Sequence, residues 1–220
     1  MATATAPAAD TIADLLERLG EVPARRVRLH PAPGTATERD VLAIEAAEGR
    51  RFELVDGTLV EKSMGYYEAR VAHVLAYHVE DYLGDHDLGI AAGPDGMLRL
   101  GVDLVRIPDL SFIAWERLPG RVAPRMPIPA IAPDLAVEVL SESSTRREMD
   151  RKLRDYFDAG SRLVWIVDPL PPRSVLIYTS IDRFTTLTEA DTLDGGEVLP
   201  GFSLPIAAWF RRVDRGSAAL

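Results

Sequence analysis

The chain has 220 residues, of which 47% are hydrophobic and 27% are charged, a balance that fits one folded α/β domain with a hydrophobic core. It contains no cysteine, which excludes a disulfide framework, a thiolate zinc site and a cysteine nucleophile, and which fits a reducing cytoplasm. The formal charge of -9 argues against a protein that holds DNA chiefly by neutralising phosphates, although a metal ion or a local basic patch would offset an acidic site. No stretch approaches the roughly 18 apolar residues of a membrane span.

The N-terminal part predicts a tail followed by two helices. Residues 1–9 are rich in Ala and Thr and predict a disordered tail. Asp10 is predicted to cap a first helix that Gly20 ends, and Thr37 begins a second helix that ends near Gly49. We therefore expect residues 10–49 to form a helical extension packed on a core domain of residues 50–212, with residues 213–220 as a second tail.

The first half of the predicted core domain alternates strands with one long helix. Asp56-Gly57 between apolar residues is typical of a type I′ hairpin turn, Gly84 is predicted to end the helix, and Pro108 interrupts the last strand. In chain order we expect a hairpin over 51–61, a helix over 67–83, strands over 88–92, 97–100 and 102–115, and a proline-rich loop over 117–133.

The second half predicts a strand–helix–strand unit and then outer strands. Residues 135–140 and 163–167 are almost continuously apolar, as central buried strands are, and a helix capped by Ser144 or Thr145 joins them. This unit is expected to be a right-handed parallel crossover. The remaining elements are strands over 174–178 and 184–187, a turn at 194–196 and a short helix near Trp209. Together the elements predict one mixed sheet flanked by helices.

Two carboxylates stand inside these apolar segments. Glu138 interrupts the buried run 135–140, and Asp109 follows Pro108. An ionised carboxylate among buried residues needs a cation, a metal or a proton, and such groups cluster at functional sites. Two carboxylates on neighbouring strands could share a hard divalent cation. The alternatives are that Glu138 points outward and that Asp109 forms a turn beside the proline.

Lys152 lies on the helix after the Glu138 strand, among alternating charges. The alternating pattern indicates a solvated helix face for most of these residues, Glu148 and Asp155 among them. Lys152 and Lys62 are the only lysines in a chain otherwise rich in arginine. Because lysine can adjust its protonation when it is desolvated, Lys152 is a candidate site residue.

The ordered motifs of the chain resemble the Uma-two-like restriction endonuclease family of the PD-(D/E)XK nuclease superfamily. The likeness runs from about Phe52 to Phe210 and is specific as an ordered set. It is carried by the 52–57 hairpin, Ile107-Pro108-Asp109, and the segments 132–141, 149–156, 159–160, 163–169 and 200–202.

The resemblance implies a restriction-endonuclease-like mixed sheet and a metal-dependent site that cleaves DNA phosphodiester bonds. Asp109 matches the motif aspartate and Glu138 the second carboxylate, while Leu140 stands where the motif lysine is expected and Lys152 matches a lysine that has moved to the following helix. Glu53 matches a family acidic position that could complete the shell of a Mg²⁺ or Mn²⁺ ion, the alternative being an exposed hairpin charge. A homodimer would suit an enzyme that cuts duplex DNA.

One departure and three alternatives limit this interpretation. The family often has a histidine near the start of the long helix, whereas residues 64–68 here contain none. The chain could be a catalytically inactive nuclease fold that binds nucleic acid or protein, or an assembly or regulatory module that uses the proline-rich excursion as an interface. A serine hydrolase is a weaker alternative, because the Gly-x-Ser-x-Gly elbow is missing.

Overall fold

The computed structural model describes residues 9–215, so most of the predicted tails, residues 1–8 and 216–220, lies outside the described residues. The helices are α1 (Ile12–Arg18), α2 (Glu38–Glu48), α3 (Tyr66–Asp85), α4 (Arg146–Asp158) and α5 (Ile206–Val213). The strands are β1 (Val27–Arg28), β2 (Phe52–Val55), β3 (Thr58–Glu61), β4 (Gly89–Ala92), β5 (Leu98–Gly101), β6 (Leu104–Arg106), β7 (Leu110–Ala114), β8 (Leu135–Val139), β9 (Leu163–Asp168), β10 (Ser174–Ser180), β11 (Arg183–Thr188), β12 (Thr192–Gly195) and β13 (Leu199–Pro205).

The strands form two main sheets rather than the single sheet that the sequence predicts. A five-stranded antiparallel sheet has the order β1-β3-β2-β6-β5, and a six-stranded mixed sheet has the order β11-β10-β9-β8-β7-β4. The chain passes from the first sheet to the second through residues 107–109, between β6 and β7. Pro108 lies at this passage and has no N–H to donate to a sheet, which explains why the pairing breaks here.

The parallel pairing predicted for the crossover is confirmed. β8 and β9 pair in parallel register, with Glu138 opposite Ile166, and α4 connects them. The Thr145 hydroxyl caps α4 by accepting a hydrogen bond from the Glu148 backbone N–H at 3.0 Å. The apolar side of α4, which includes Leu153, packs with side chains of β8 and β9 in one buried cluster. This packing fixes the helix over one side of the mixed sheet.

The other side of the mixed sheet is covered by α3 and α5. Their buried residues share a core cluster with Trp165 of β9 and with the β12–β13 hairpin, which the sequence analysis predicted only as a turn. Helix α3 continues through Gly84, which was predicted to end it. Gly84 is exposed in the last turn, where a glycine costs only about 1 kcal/mol. No helix within residues 9–215 is both long and apolar enough to cross a membrane.

The N-terminal segment is attached to α4 by a close backbone contact and a buried ion pair. Thr11, rather than the predicted Asp10, caps α1. Gly20 has a φ of +86°, and a Cβ built there would lie 2.7 Å from the backbone of Glu148. Arg26 donates to both carboxylate oxygens of Glu148 at 2.9 and 2.8 Å. Glu148 is therefore buried, and the prediction that it lies on a solvated helix face is wrong. The local charge pattern of α4 could not reveal Arg26 as its partner, because Arg26 is distant in the sequence.

Candidate active site

Asp109 lies where the chain enters the mixed sheet. Its backbone N–H donates to the carbonyl of Val137 at 2.8 Å, which continues the pairing of β7 with β8 by one residue. Its carboxylate Oδ2 accepts a hydrogen bond from the Val139 N–H at 2.6 Å. The backbone and the carboxylate of Asp109 therefore bind the neighbouring strand on either side of Glu138, and the side chain is buried.

Glu138 is buried near the end of β8 and accepts hydrogen bonds from two residues of α4. Its Oε1 accepts from the Tyr156 hydroxyl at 2.6 Å, and its Oε2 lies 2.9 Å from the ammonium nitrogen of Lys152. Lys152 and Tyr156 are four residues apart, so they lie on the same side of the helix. The crossover that places α4 on the sheet thus also delivers both partners of this carboxylate.

Lys62 supplies a second ammonium group, to which the sequence analysis assigned no role. It follows β3, and its Nζ lies 2.7 Å from Asp109 Oδ1 and 3.4 Å from Glu138 Oε2. The side chain of Lys62 is 9% exposed and that of Asp109 is 2% exposed. One ammonium nitrogen therefore lies within ion-pair distance of both carboxylates.

Glu53 is fully buried in β2 and brings the five-stranded sheet into the same cluster. Its Oε1 lies 3.0 Å from the Lys152 ammonium and accepts from the Ile107 N–H at 3.2 Å. Its Oε2 accepts from the Arg106 guanidinium at 2.7 Å. Arg106 also donates through Nε to Asp155 of α4 at 2.9 Å. Both oxygens of Glu53 are thus occupied by protein donors.

The electrostatics of this cluster follow from burial and pairing. Burial raises the pKa of Asp109, and the neighbouring Lys62 only partly opposes that rise. Burial acts in the same direction on Glu53 and Glu138, but Lys152 and the other nearby cations outweigh it and lower the pKa of both carboxyls. Burial opposes the charge of Lys62, yet Asp109 and Glu138 raise the pKa of its ammonium. The cluster is a compensated network rather than a set of isolated carboxylates.

Comparison with known proteins identifies the family. The Uma2 family model, described as a putative restriction endonuclease, matches residues 39–207. The chain belongs to the Uma2 family. The Uma2 match contains every residue of the cluster, from Glu53 to Tyr156. The earlier resemblance is therefore confirmed.

A solved structure agrees with the Uma2 assignment at the level of fold. A putative nuclease belonging to DUF820 from Anabaena variabilis ATCC 29413 superposes with a TM-score of 0.65 and 18% sequence identity, covering 74% of this chain and 91% of that one. At this identity the likeness concerns the fold alone, and the predicted restriction-endonuclease-like α/β fold is confirmed. The search of curated proteins found no match.

The donor chemistry of the Uma2 cluster fits a hard divalent cation at one position. Asp109 Oδ1 and Glu138 Oε2 both lie within ion-pair distance of the Lys62 ammonium nitrogen. Asp109 Oδ1 is buried, and apart from this ion pair it has no hydrogen-bond donor among the described residues. Carboxylate oxygens are the ligands that Mg²⁺ and Mn²⁺ prefer. Within residues 9–215, however, no three His, Asp or Glu side chains are already arranged to hold a metal. Glu53 as a third metal ligand stays a prediction.

The structure brings together all four residues that the sequence analysis selected. Asp109, Glu138, Lys152 and Glu53 lie in one network, and Asp155 contacts this network through Arg106 instead of lying on a solvated face. The residues that were missed are Lys62, Arg106 and Tyr156. Arg106 could have been found by the feature that revealed Glu138, which is a charged residue within an apolar strand. Lys62 was recognisable only as one of the two lysines.

Proposed function

We propose that this protein is a divalent-cation-dependent endonuclease that hydrolyses phosphodiester bonds of DNA. One observation carries the proposal. Asp109 and Glu138, two buried carboxylates on neighbouring strands, both lie within ion-pair distance of the Lys62 ammonium nitrogen. Such a pair is a natural site for Mg²⁺ or Mn²⁺. A cation held by these two residues supplies positive charge for a phosphate and makes nearby water more acidic.

The other residues of the cluster would orient these carboxylates and supply further positive charge. The Val139 N–H fixes one oxygen of Asp109, which leaves the other oxygen directed toward Glu138 and Lys62. Tyr156 fixes Glu138 in the same way. Both orientations are set by hydrogen bonds to folded elements, so the two carboxylates would need little rearrangement to act together.

Lys152 is the proposed catalytic cation. Its ammonium is held by Glu138 at 2.9 Å and by Glu53 at 3.0 Å, so its position is fixed by two different sheets. A fixed positive charge stabilises the negative charge that develops on a phosphate during attack by water. In the reaction the water oxygen bonds to phosphorus and the water gives up a proton to solvent, while the bond from phosphorus to the leaving sugar oxygen breaks and that oxygen takes a proton from solvent.

The test combines metal binding with DNA cleavage. We expect Mn²⁺ to raise the melting temperature of the wild-type protein and to support cleavage of a mixture of single- and double-stranded DNA substrates. Both effects should vanish in Glu138→Ala and in the isosteric Asp109→Asn. Glu48→Gln is the matched control, because Glu48 is exposed and makes its ion pairs with Arg28 and Arg50, which do not belong to the cluster. Full metal-dependent cleavage by purified Asp109→Asn would refute the assignment.

A second candidate is an inactive nuclease fold that binds nucleic acid. The observation in its favour is that Lys62, Lys152 and Arg106 already compensate the buried carboxylates without a metal. Retention of DNA on the protein without cleavage, at Mn²⁺ concentrations that saturate any metal-induced rise in melting temperature, would favour this candidate.

The predicted homodimer, which light scattering can test, and the cytoplasmic location stay predictions.

A further inference from the structure

Lys62 has a different relation to the cluster from that of Lys152. Lys152 makes ion pairs with Glu138 and Glu53, so it keeps a partner if Glu138 turns to another cation. Lys62 makes its ion pairs with Asp109 and Glu138, the two carboxylates proposed to hold the metal. A metal bound by both would remove the two partners of Lys62 at once.

Lys62 is also the most exposed of the three side chains that meet at this position. Asp109 is 2% exposed and Glu138 is 4% exposed, whereas the side chain of their shared partner Lys62 is 9% exposed. Lys62 follows directly after β3 and precedes a short segment, residues 63–65, that has no regular secondary structure. Its long side chain has rotatable bonds that would let the ammonium turn to solvent without moving the strand.

We propose that Lys62 is a built-in competitor of the divalent cation: its ammonium occupies the position between Asp109 and Glu138 and must leave it before Mg²⁺ or Mn²⁺ binds. This inference rests on the proposed function, because it takes the two carboxylates as the metal ligands. The site has a resting arrangement closed by Lys62 and a loaded arrangement in which Lys62 faces solvent. The protein then binds the metal more weakly than it would if the same two carboxylates were free of Lys62.

The composition of the chain offers a direct measurement on the wild-type protein. Because the chain has only two lysines, isotopic labelling of lysine yields one side-chain signal from Lys62 and one from Lys152 in an NMR spectrum. The Lys62→Met variant assigns them by removing one signal. On titration with Mg²⁺ we expect the Lys62 signal to move toward the position of a solvated lysine while the Lys152 signal stays close to its original position. Saturable Mg²⁺ binding without any change at Lys62 would overturn the inference.

Calorimetry on variants supplies the second readout. Lys62→Met keeps much of the side-chain volume and removes the charge. We expect it to bind Mn²⁺ about 10–100-fold more tightly than the wild type, the gain that results if about 1–10% of the wild-type molecules have Lys62 turned away before metal binds. Lys62→Arg keeps the charge and should bind no more tightly than the wild type. Equal affinity of Lys62→Met and the wild type would overturn the inference, and the proposed function would stand if Asp109→Asn still abolished binding.

Two further outcomes would refute the proposed function and this inference together, in contrast to equal affinity of Lys62→Met and the wild type, which would refute the inference alone. If neither the wild type nor a folded Lys62→Met variant binds Mn²⁺, the metal site itself is refuted and both proposals fall. If Mn²⁺ binds but Asp109→Asn and Glu138→Gln bind it equally well, the metal lies elsewhere and both proposals fall again. Should Lys62→Met not fold, because two buried carboxylates lose a cation, the NMR titration of the wild type still decides the inference.

Discussion

Replacement of Glu138 by Gln removes one charge from the cluster while it preserves the shape of the side chain. Lys152 would keep Glu53 at 3.0 Å and Lys62 would keep Asp109 at 2.7 Å. The amide oxygen of the new side chain could still accept from Tyr156. The variant therefore weakens two charged contacts, one at 2.9 Å and one at 3.4 Å, without leaving any lysine with no carboxylate partner.

The expected loss of stability follows from these contacts. Because hydrogen bonds to charged groups contribute about 1.5–3 kcal/mol, and because the contact at 3.4 Å is weak, we expect Glu138→Gln to lower the free energy of unfolding by about 1.5–3 kcal/mol. Glu138→Ala also leaves the buried Tyr156 hydroxyl without its acceptor and creates a cavity. Its expected cost is about 3–5 kcal/mol, the range for breaking a buried charge pair.

Urea denaturation followed by circular dichroism measures both variants. With an m-value of about 2 kcal/mol/M, the Gln variant should shift the midpoint by about 1 M and the Ala variant by more. Glu48→Gln makes the same chemical change at an exposed ion pair and should leave the midpoint nearly unchanged. If Glu138→Gln were as stable as the wild type or more stable, the carboxylate would not be compensated by its lysines, and the reasoning would be refuted.

Three further predictions test the cluster and the N-terminal attachment. Tyr156→Phe should lower the free energy of unfolding by about 1.5–3 kcal/mol, because it removes a 2.6 Å hydrogen bond to a charged acceptor, and an unchanged urea midpoint would contradict this. The pKa of Glu53 is lower in the folded protein than in the unfolded chain, so its stabilising contribution is complete above about pH 4.3 and is lost as pH falls. The stability gap between wild type and Glu53→Gln should therefore narrow from pH 7 to pH 3.5, and a constant gap would count against the pairing. Gly20→Ala should lower the melting temperature more than Gly49→Ala, because both have positive φ but only the first places a Cβ 2.7 Å from the α4 backbone; equal shifts would show that this contact relaxes freely.

The elements with a strong local pattern could be predicted from the sequence. Asp56-Gly57 indicated the first hairpin, and both residues have the positive φ that a type I′ turn requires. The two apolar runs around Glu138 and Trp165 indicated the parallel crossover. The division into two sheets was missed, because periodicity reports which face of a strand is buried and not which strands pair with one another.

The candidate site was predicted only in part, because its residues come from distant parts of the sequence. Glu138 and Asp109 were recognisable because a carboxylate among apolar residues requires compensation. The identity of the compensating partners is a property of the fold: Lys62 is 76 residues from Glu138 in sequence, and Arg106 is 53 residues from Glu53. Local sequence patterns do not reveal such pairs, so Lys62 could be noticed only as one of two lysines.

The passage of the chain between the two sheets at residues 107–109 has a consequence for the order of folding. The cluster unites groups from both sheets and from α4, so it is complete only after these parts have docked. Contacts of such long sequence separation close late, because chain entropy opposes them. We therefore expect a substitution such as Glu53→Gln, which weakens the Glu53–Lys152 ion pair between the five-stranded sheet and α4, to speed unfolding and to leave the refolding rate nearly unchanged in stopped-flow experiments. The charges that define the site would then remain in water, where they need no partner, until the surrounding fold is almost finished.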